Sequence, residues 1–173
     1  MGNEGADLGA VFDAHVKAEF DDLDVDAAMA TMTSNPYLTH VPVLTGGYGA
    51  DPLRAFYRDH FVGKWPADTE IQEVSRTIGD NRLIDEMVLR FTHDVEMDGI
   101  LPGVSPTGRR VEMALAVVVD FEAGLVAAER IYWDQASVLV QIGLLDPTGL
   151  PVTGVEQAET VLDPRRARNE LLA

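Results

Sequence analysis

The residues best suited to chemistry lie in Glu129-Arg130-Ile131-Tyr132-Trp133-Asp134-Gln135, where ionisable and aromatic side chains interrupt an otherwise apolar run. Alternation puts Arg130, Tyr132 and Asp134 on one face of a strand and Glu129, Ile131, Trp133 and Gln135 on the other. Val138, Leu139, Ile142 and Leu145 follow at helical spacing, so strand gives way to helix just beyond Asp134. An aspartate at that junction is a candidate acid or base, and it is also well placed to cap the helix.

His93 shares a strand face with Met87, Leu89, Phe91 and Val95, so it is expected to look into a covered interior. Burial lowers the pKa of an imidazole and a neighbouring carboxylate such as Asp134 raises it. Opposed pressures of that kind produce groups that exchange protons near neutral pH. The plainer role for His93 is a core histidine bonded to a backbone carbonyl. His40 on a short strand and Tyr132 beside Asp134 complete the candidate set. Glu129 reads as structural, Trp133 as a core or interface aromatic, and Arg90 and Glu96 as ion-pairing groups on the other strand face.

Composition removes whole classes. Asp and Glu number 29 against 13 Lys and Arg, a formal charge of −16 that repels nucleic acid and anionic membrane surfaces. Only Arg165-Arg166-Ala167-Arg168 runs against it. With no cysteine there are no disulfides, thiolate nucleophiles or thiolate-bound metals. No His-x-x-x-His pair supplies two metal ligands on one element, so no metal is expected. Pro102-Gly103-Val104-Ser105-Pro106 has the wrong flanks for a nucleophile elbow, and phosphate-binding glycine motifs are missing. Met1 to Leu8 is acidic and unlike a secretory signal, and no apolar run reaches the roughly 18 residues a membrane span needs, so a cytoplasmic protein is expected.

The elements that must position these residues follow from periodicity. Leu8, Val11, Phe12, Val16 and Phe20 form a helical stripe with an acidic outer face, and Asp24 caps a second helix from Val25 to Met32. Tyr37 to Val41 reads as a short strand and Pro42 to Tyr48 as a loop. Asp51-Pro52 starts a helix to about Val62 with Leu53, Phe56, Tyr57 and Phe61 inward. Strands are expected at Glu70–Ile78, Arg82–Met97, Arg109–Phe121 and Leu125–Gln135, the third apolar enough to be covered on both faces. The result is an α+β domain over residues 1–146 with a curved antiparallel meander. Residues 147–173, rich in Pro and Gly, form an extension that packs on the domain or on a neighbouring subunit.

This order of elements resembles the nuclear transport factor 2-like cone. Leu89-Arg90-Phe91-Thr92-His93, Leu101-Pro102-Gly103-Val104-Ser105-Pro106-Thr107-Gly108-Arg109 and Ile131-Tyr132-Trp133-Asp134-Gln135 with Gln141-Ile142-Gly143 resemble its SnoaL-like branch, which includes polyketide cyclases. The resemblance implies a homodimer with an apolar pocket for a small hydrophobic molecule and a cofactor-free intramolecular aldol closure. Asp134 would take the proton alpha to a carbonyl and His93 would hydrogen-bond the enolate oxygen. His40, Tyr132, Phe91, Leu89, Met113 and Phe56 are expected to bind the substrate. Two alternatives stand beside it: a limonene-type epoxide hydrolase using Asp134 and Arg90, and a non-catalytic ligand-binding or interaction cone.

Overall fold

Amphipathic period and turn chemistry produce five helices and six strands in the computed structural model, which describes residues 7–172. The start of the acidic leader, residues 1–6, lies outside the described residues. Helix α1 (Leu8–Phe20) begins where Asp7 accepts the Ala10 N–H at 3.1 Å, and α2 (Val25–Ala30) where Asp24 accepts from Asp26 and Ala27. Strand β1 (Met32–His40) starts earlier than periodicity indicates and runs through Pro36. Its register against β6 breaks between Met32 and Tyr37, and this irregularity is where a strand tolerates a proline.

The expected loop after β1 contains a strand, β2 (Thr45–Tyr48). Gly46 and Gly47 are required there. A Cβ at Gly46 would lie 2.0 Å from the Leu38 carbonyl oxygen, and one at Gly47 2.6 Å from Leu53 backbone. Helix α3 (Ala50–Phe56) continues as one wide π turn over Tyr57–Phe61, and Leu53, Phe56, Tyr57 and Phe61 are all buried as the spacing predicts.

Strands β3 (Glu70–Ile78), β4 (Arg82–Thr92), β5 (Arg110–Glu122) and β6 (Leu125–Trp133) form the antiparallel part of one curved sheet in the order β2-β1-β6-β5-β4-β3, with β1 parallel to β6. β4 stops at Thr92, five residues before the expected end. β5 is covered on one face only: Val111, Met113, Leu115, Val117, Val119 and Phe121 are buried, and the residues between them are half open.

Helices α1 and α3 cover the inner face, and the core lies between them and the sheet. Across that face β5 and β6 pair Leu115 with Trp133, Val117 with Ile131 and Val119 with Glu129, while β1 brings Leu38 beside Glu129 and His40 beside Ile131. Arg130, Tyr132 and Asp134 therefore face out. The outer face carries ion pairs, Arg90 with Glu112 at 3.0 Å and Arg130 with Asp120 at 2.8 Å. Helices α4 (Gln135–Gln141) and α5 (Glu156–Leu162) follow, and Ser137 Oγ donates to the Gly154 carbonyl at 2.5 Å with Ala158 buried. No helix among the described residues is long and apolar enough to cross a membrane.

Candidate functional site

Inside the cone α1, β1 and β6 each deliver a polar side chain to an apolar chamber. Glu19, His40 and Trp133 line it with Met87, Leu89 and Met113 among other apolar walls. The chamber holds about 60 Å³ in this conformation, room for roughly two waters. Four buried polar atoms on its walls have no hydrogen-bond partner: Glu19 Oε1, both ring nitrogens of His40 and Trp133 Nε1. Buried polar atoms are normally satisfied, so a convergent set of orphans is where a ligand's polar groups would fit.

Behind Glu19 lies a second layer. His15 and Glu19 are four residues apart on α1, which puts both on the face that packs against the sheet. His15 Nε2 stands 3.2 Å from Glu19 Oε1 and 3.0 Å from Glu129 Oε1. Tyr57, set inward by the π turn, lies 3.2 Å from His15 Nε2 and donates to Glu129 Oε1 at 3.4 Å. On the far side of the ring, Nδ1 is 2.7 Å from Thr31 Oγ1, whose hydroxyl donates to the Ala28 carbonyl. Thr31 Oγ1 therefore accepts from Nδ1–H, and Nε2 is the atom turned to the carboxylates. Among the described residues this is the one group of three or more His and carboxylate side chains whose ligand atoms lie within 4.8 Å of one another.

The electrostatics differ between the two histidines. Burial opposes charge on His15, but Glu129 and Glu19 outweigh it and hold its pKa well above the usual imidazole value. Burial raises the Glu19 carboxyl, an effect that His15 only partly offsets. Tyr57 is pushed up by burial and then by both carboxylates, so it stays a neutral donor. His40 has no charged partner, and burial lowers it to about 4, leaving a neutral imidazole at pH 7.

Of the residues expected from the sequence, His40, Leu89 and Met113 line the chamber, and Phe56 lies against the His40 ring at 6.3 Å between centroids. Phe91 is buried one layer behind, packed edge-on against Trp65, which lines the chamber. Three expectations change. Asp134 lies on the outer side, where its carboxylate accepts the Ser137 N–H at 3.1 Å and caps α4. Tyr132, 45% exposed, borders the same open outer groove. Both follow from strand parity: the face carrying Arg130 turns to solvent and the face carrying Ile131 and Trp133 turns inward.

His93 is fully buried, yet it borders the loop and not the chamber. Its Nδ1 meets Thr107 Oγ1 at 3.2 Å, and its carbonyl accepts from Thr107 and Gly108, tying down residues 93–109. Burial lowers its pKa, with Asp94 opposing weakly. No hydrogen bond or ion pair joins it to Asp134 among the described residues. Arg90 is engaged with Glu112 and Gln72 on the outer face, so the limonene-type pairing with Asp134 at an inner water is not assembled.

His15, Glu19, Tyr57 and Glu129 were not singled out for chemistry by sequence reasoning. One signal was available: a histidine and a glutamate at positions i and i+4, in line with Phe12, on a helix whose inner face is otherwise apolar.

A curved mixed sheet with helices on its inner face defines the nuclear transport factor 2-like cone fold. No protein-family model matches the sequence, and no curated protein is significantly similar to it. The chain is similar in structure to a proposed SnoaL-like polyketide cyclase from Jannaschia sp. CCS1 (TM-score 0.62, 19% identity, 84% of this chain and 100% of that one). It is similar to IdmH, a proposed polyketide cyclase from Streptomyces antibioticus (TM-score 0.60, 17% identity, 79% and 99%). The epoxide hydrolase/cyclase-like enzyme SalBIII of salinomycin pyran-ring formation also matches (TM-score 0.54, 16% identity, 74% and 91%).

Proposed function

We propose that this chain is a small-molecule enzyme that performs acid–base chemistry on a hydrophobic carbonyl compound of polyketide-like character, bound in the inner chamber. The observation that carries this reading is the set of orphaned polar atoms, Glu19 Oε1, His40 Nδ1 and Nε2 and Trp133 Nε1, on otherwise apolar walls. The roles given to Asp134 and His93 by family resemblance pass to Glu19 and His40, the carboxylate and imidazole that reach the chamber.

Glu19, made more basic by burial, takes the proton alpha to the carbonyl. The neutral His40 imidazole and the Trp133 indole each have an N–H to donate to the enolate oxygen as charge develops there. His15, Glu129 and Tyr57 position Glu19. A ligand of this class needs a pocket of about 300 Å³ or more, so the chamber opens on binding. Met87 and Met113 have the rotamer freedom to move aside. The working form is read as a homodimer joined through the half-open outer face of β5 and β6, which light scattering in solution checks.

The test is deuterium exchange at the alpha carbon of 2-tetralone, followed by NMR. The wild-type chain accelerates exchange and Glu19→Gln lowers the rate by about 10²–10⁴-fold. Equal rates in the two proteins, or no acceleration by either, overturn the reading.

A further inference from the structure

The His15 cluster presents a charge-balance problem that its geometry answers in a specific way. An imidazolium flanked by two carboxylates carries one net negative charge, and an uncompensated charge in a protein interior is costly. Two arrangements make the cluster neutral. Either an imidazolium faces one carboxylate and one carboxylic acid, or a neutral imidazole and two carboxylates surround a divalent cation.

We propose that His15 Nε2, Glu19 Oε1 and Glu129 Oε1 form a binding site for a divalent first-row transition-metal ion of the zinc or manganese kind, with Tyr57 Oη beside it. The spacing fits. Atoms bound at about 2.0–2.1 Å to one ion stand roughly 2.9–3.4 Å apart in octahedral or tetrahedral geometry. Here Nε2 lies 3.2 Å and 3.0 Å from the two carboxylate oxygens, and all three atoms fall within 4.8 Å of one another.

Two further features suit a metal centre. Glu19 Oε1 is buried without a hydrogen-bond partner although the ring nitrogen is near, so a donor or ion is wanted at that atom. The Nδ1 side of His15 is fixed by Thr31 Oγ1 at 2.7 Å, with the Ala28 carbonyl behind it. Fixing the ring through the nitrogen that does not bind is the usual outer support of a ligating histidine. One nitrogen and two oxygens, with no sulfur, suit zinc, manganese or iron over softer ions. Access runs through the chamber, since Glu19 belongs to both.

The site goes beyond the acid–base reading and also bears on it. An ion held by Glu19 competes with the proton that Glu19 must take, so metal occupancy would slow alpha-proton exchange while His40 and Trp133 keep their places.

The test uses the full chain and the metals alone, without any substrate. Zinc titrated by calorimetry and cobalt(II) followed by its visible d–d bands should each reach one equivalent per chain, with zinc displacing cobalt. Glu129→Gln should abolish the stoichiometric site, and Thr31→Val, which touches no metal, should weaken it about 10–100-fold, with circular dichroism confirming that both variants are folded. Absence of a one-to-one site in the wild-type chain, or a site unchanged in both folded variants, overturns the proposal. Binding is read without turnover, so this outcome leaves the exchange result on 2-tetralone to be judged separately.

Discussion

His15 Nε2 and Glu129 Oε1 stand 3.0 Å apart with both side chains withdrawn from solvent, joining α1 to the middle of β6. Neither residue reaches water, so each depends on the other and on Glu19 for compensation. Replacing one partner of such a pair strands the rest. His15→Leu should destabilise the fold by about 3–5 kcal/mol, and His15→Leu with Glu129→Leu should recover part of that loss. Urea unfolding of the two variants measures it. The native pKa of His15 is raised, so its stabilising share is complete below the unfolded value of about 6.5 and fades as pH rises through the raised native value. NMR titration of the ring should place the His15 transition above that of an ordinary imidazole.

His40 gives the opposite sign. Its native pKa of about 4 lies below the unfolded value near 6.5, so the unfolded chain binds the extra proton between them. The neutral ring contributes fully above pH 6.5, and about 3 kcal/mol of stability is lost as pH falls toward 4. Chemical denaturation across that window should show a shallower acid limb for His40→Gln than for the wild type.

Asp134 is a helix cap in this fold. Asp134→Ala should cost about 1 kcal/mol of stability through the lost bond to the Ser137 N–H. The exchange rate on 2-tetralone should stay at the wild-type level. A large fall in rate with stability unchanged would return Asp134 to the chemistry.

Arg76 clamps β3 to β4 and α1. It donates Nε and Nη2 to the two oxygens of the buried Asp85, each at 2.7 Å, and Nη1 to Asp13. Arg76→Ala leaves the Asp85 carboxylate buried and unpaired, for a loss of about 3–5 kcal/mol. Arg76→Lys should recover only part of it, because an ammonium cannot make the two-pronged contact. Thermal melts of both variants check this.

Local rules were enough for much of the frame. Period-2 and period-3.6 patterns marked β3 to β6, α1 and the helix from Ala50, and Asp24 was legible as a cap, because spacing along the chain alone fixes which residues share a face. Spacing does not say which face is inner. On β6 the pattern separated Asp134 from Trp133 correctly, but each face carries a charged residue, Arg130 on one and Glu129 on the other, so composition did not mark the inner one. The chamber itself was not legible. Glu19 and His15 on α1, Tyr57 on a π turn and Glu129 on β6 are up to 114 residues apart in sequence, and only the packing of helix on sheet brings them within hydrogen-bond range. The chain's own order determines that Asp134 ends a strand and begins a helix. Tertiary packing brings the buried Glu19 and His40 to the chamber wall, because burial and partnership come from packing and neither is a property of spacing.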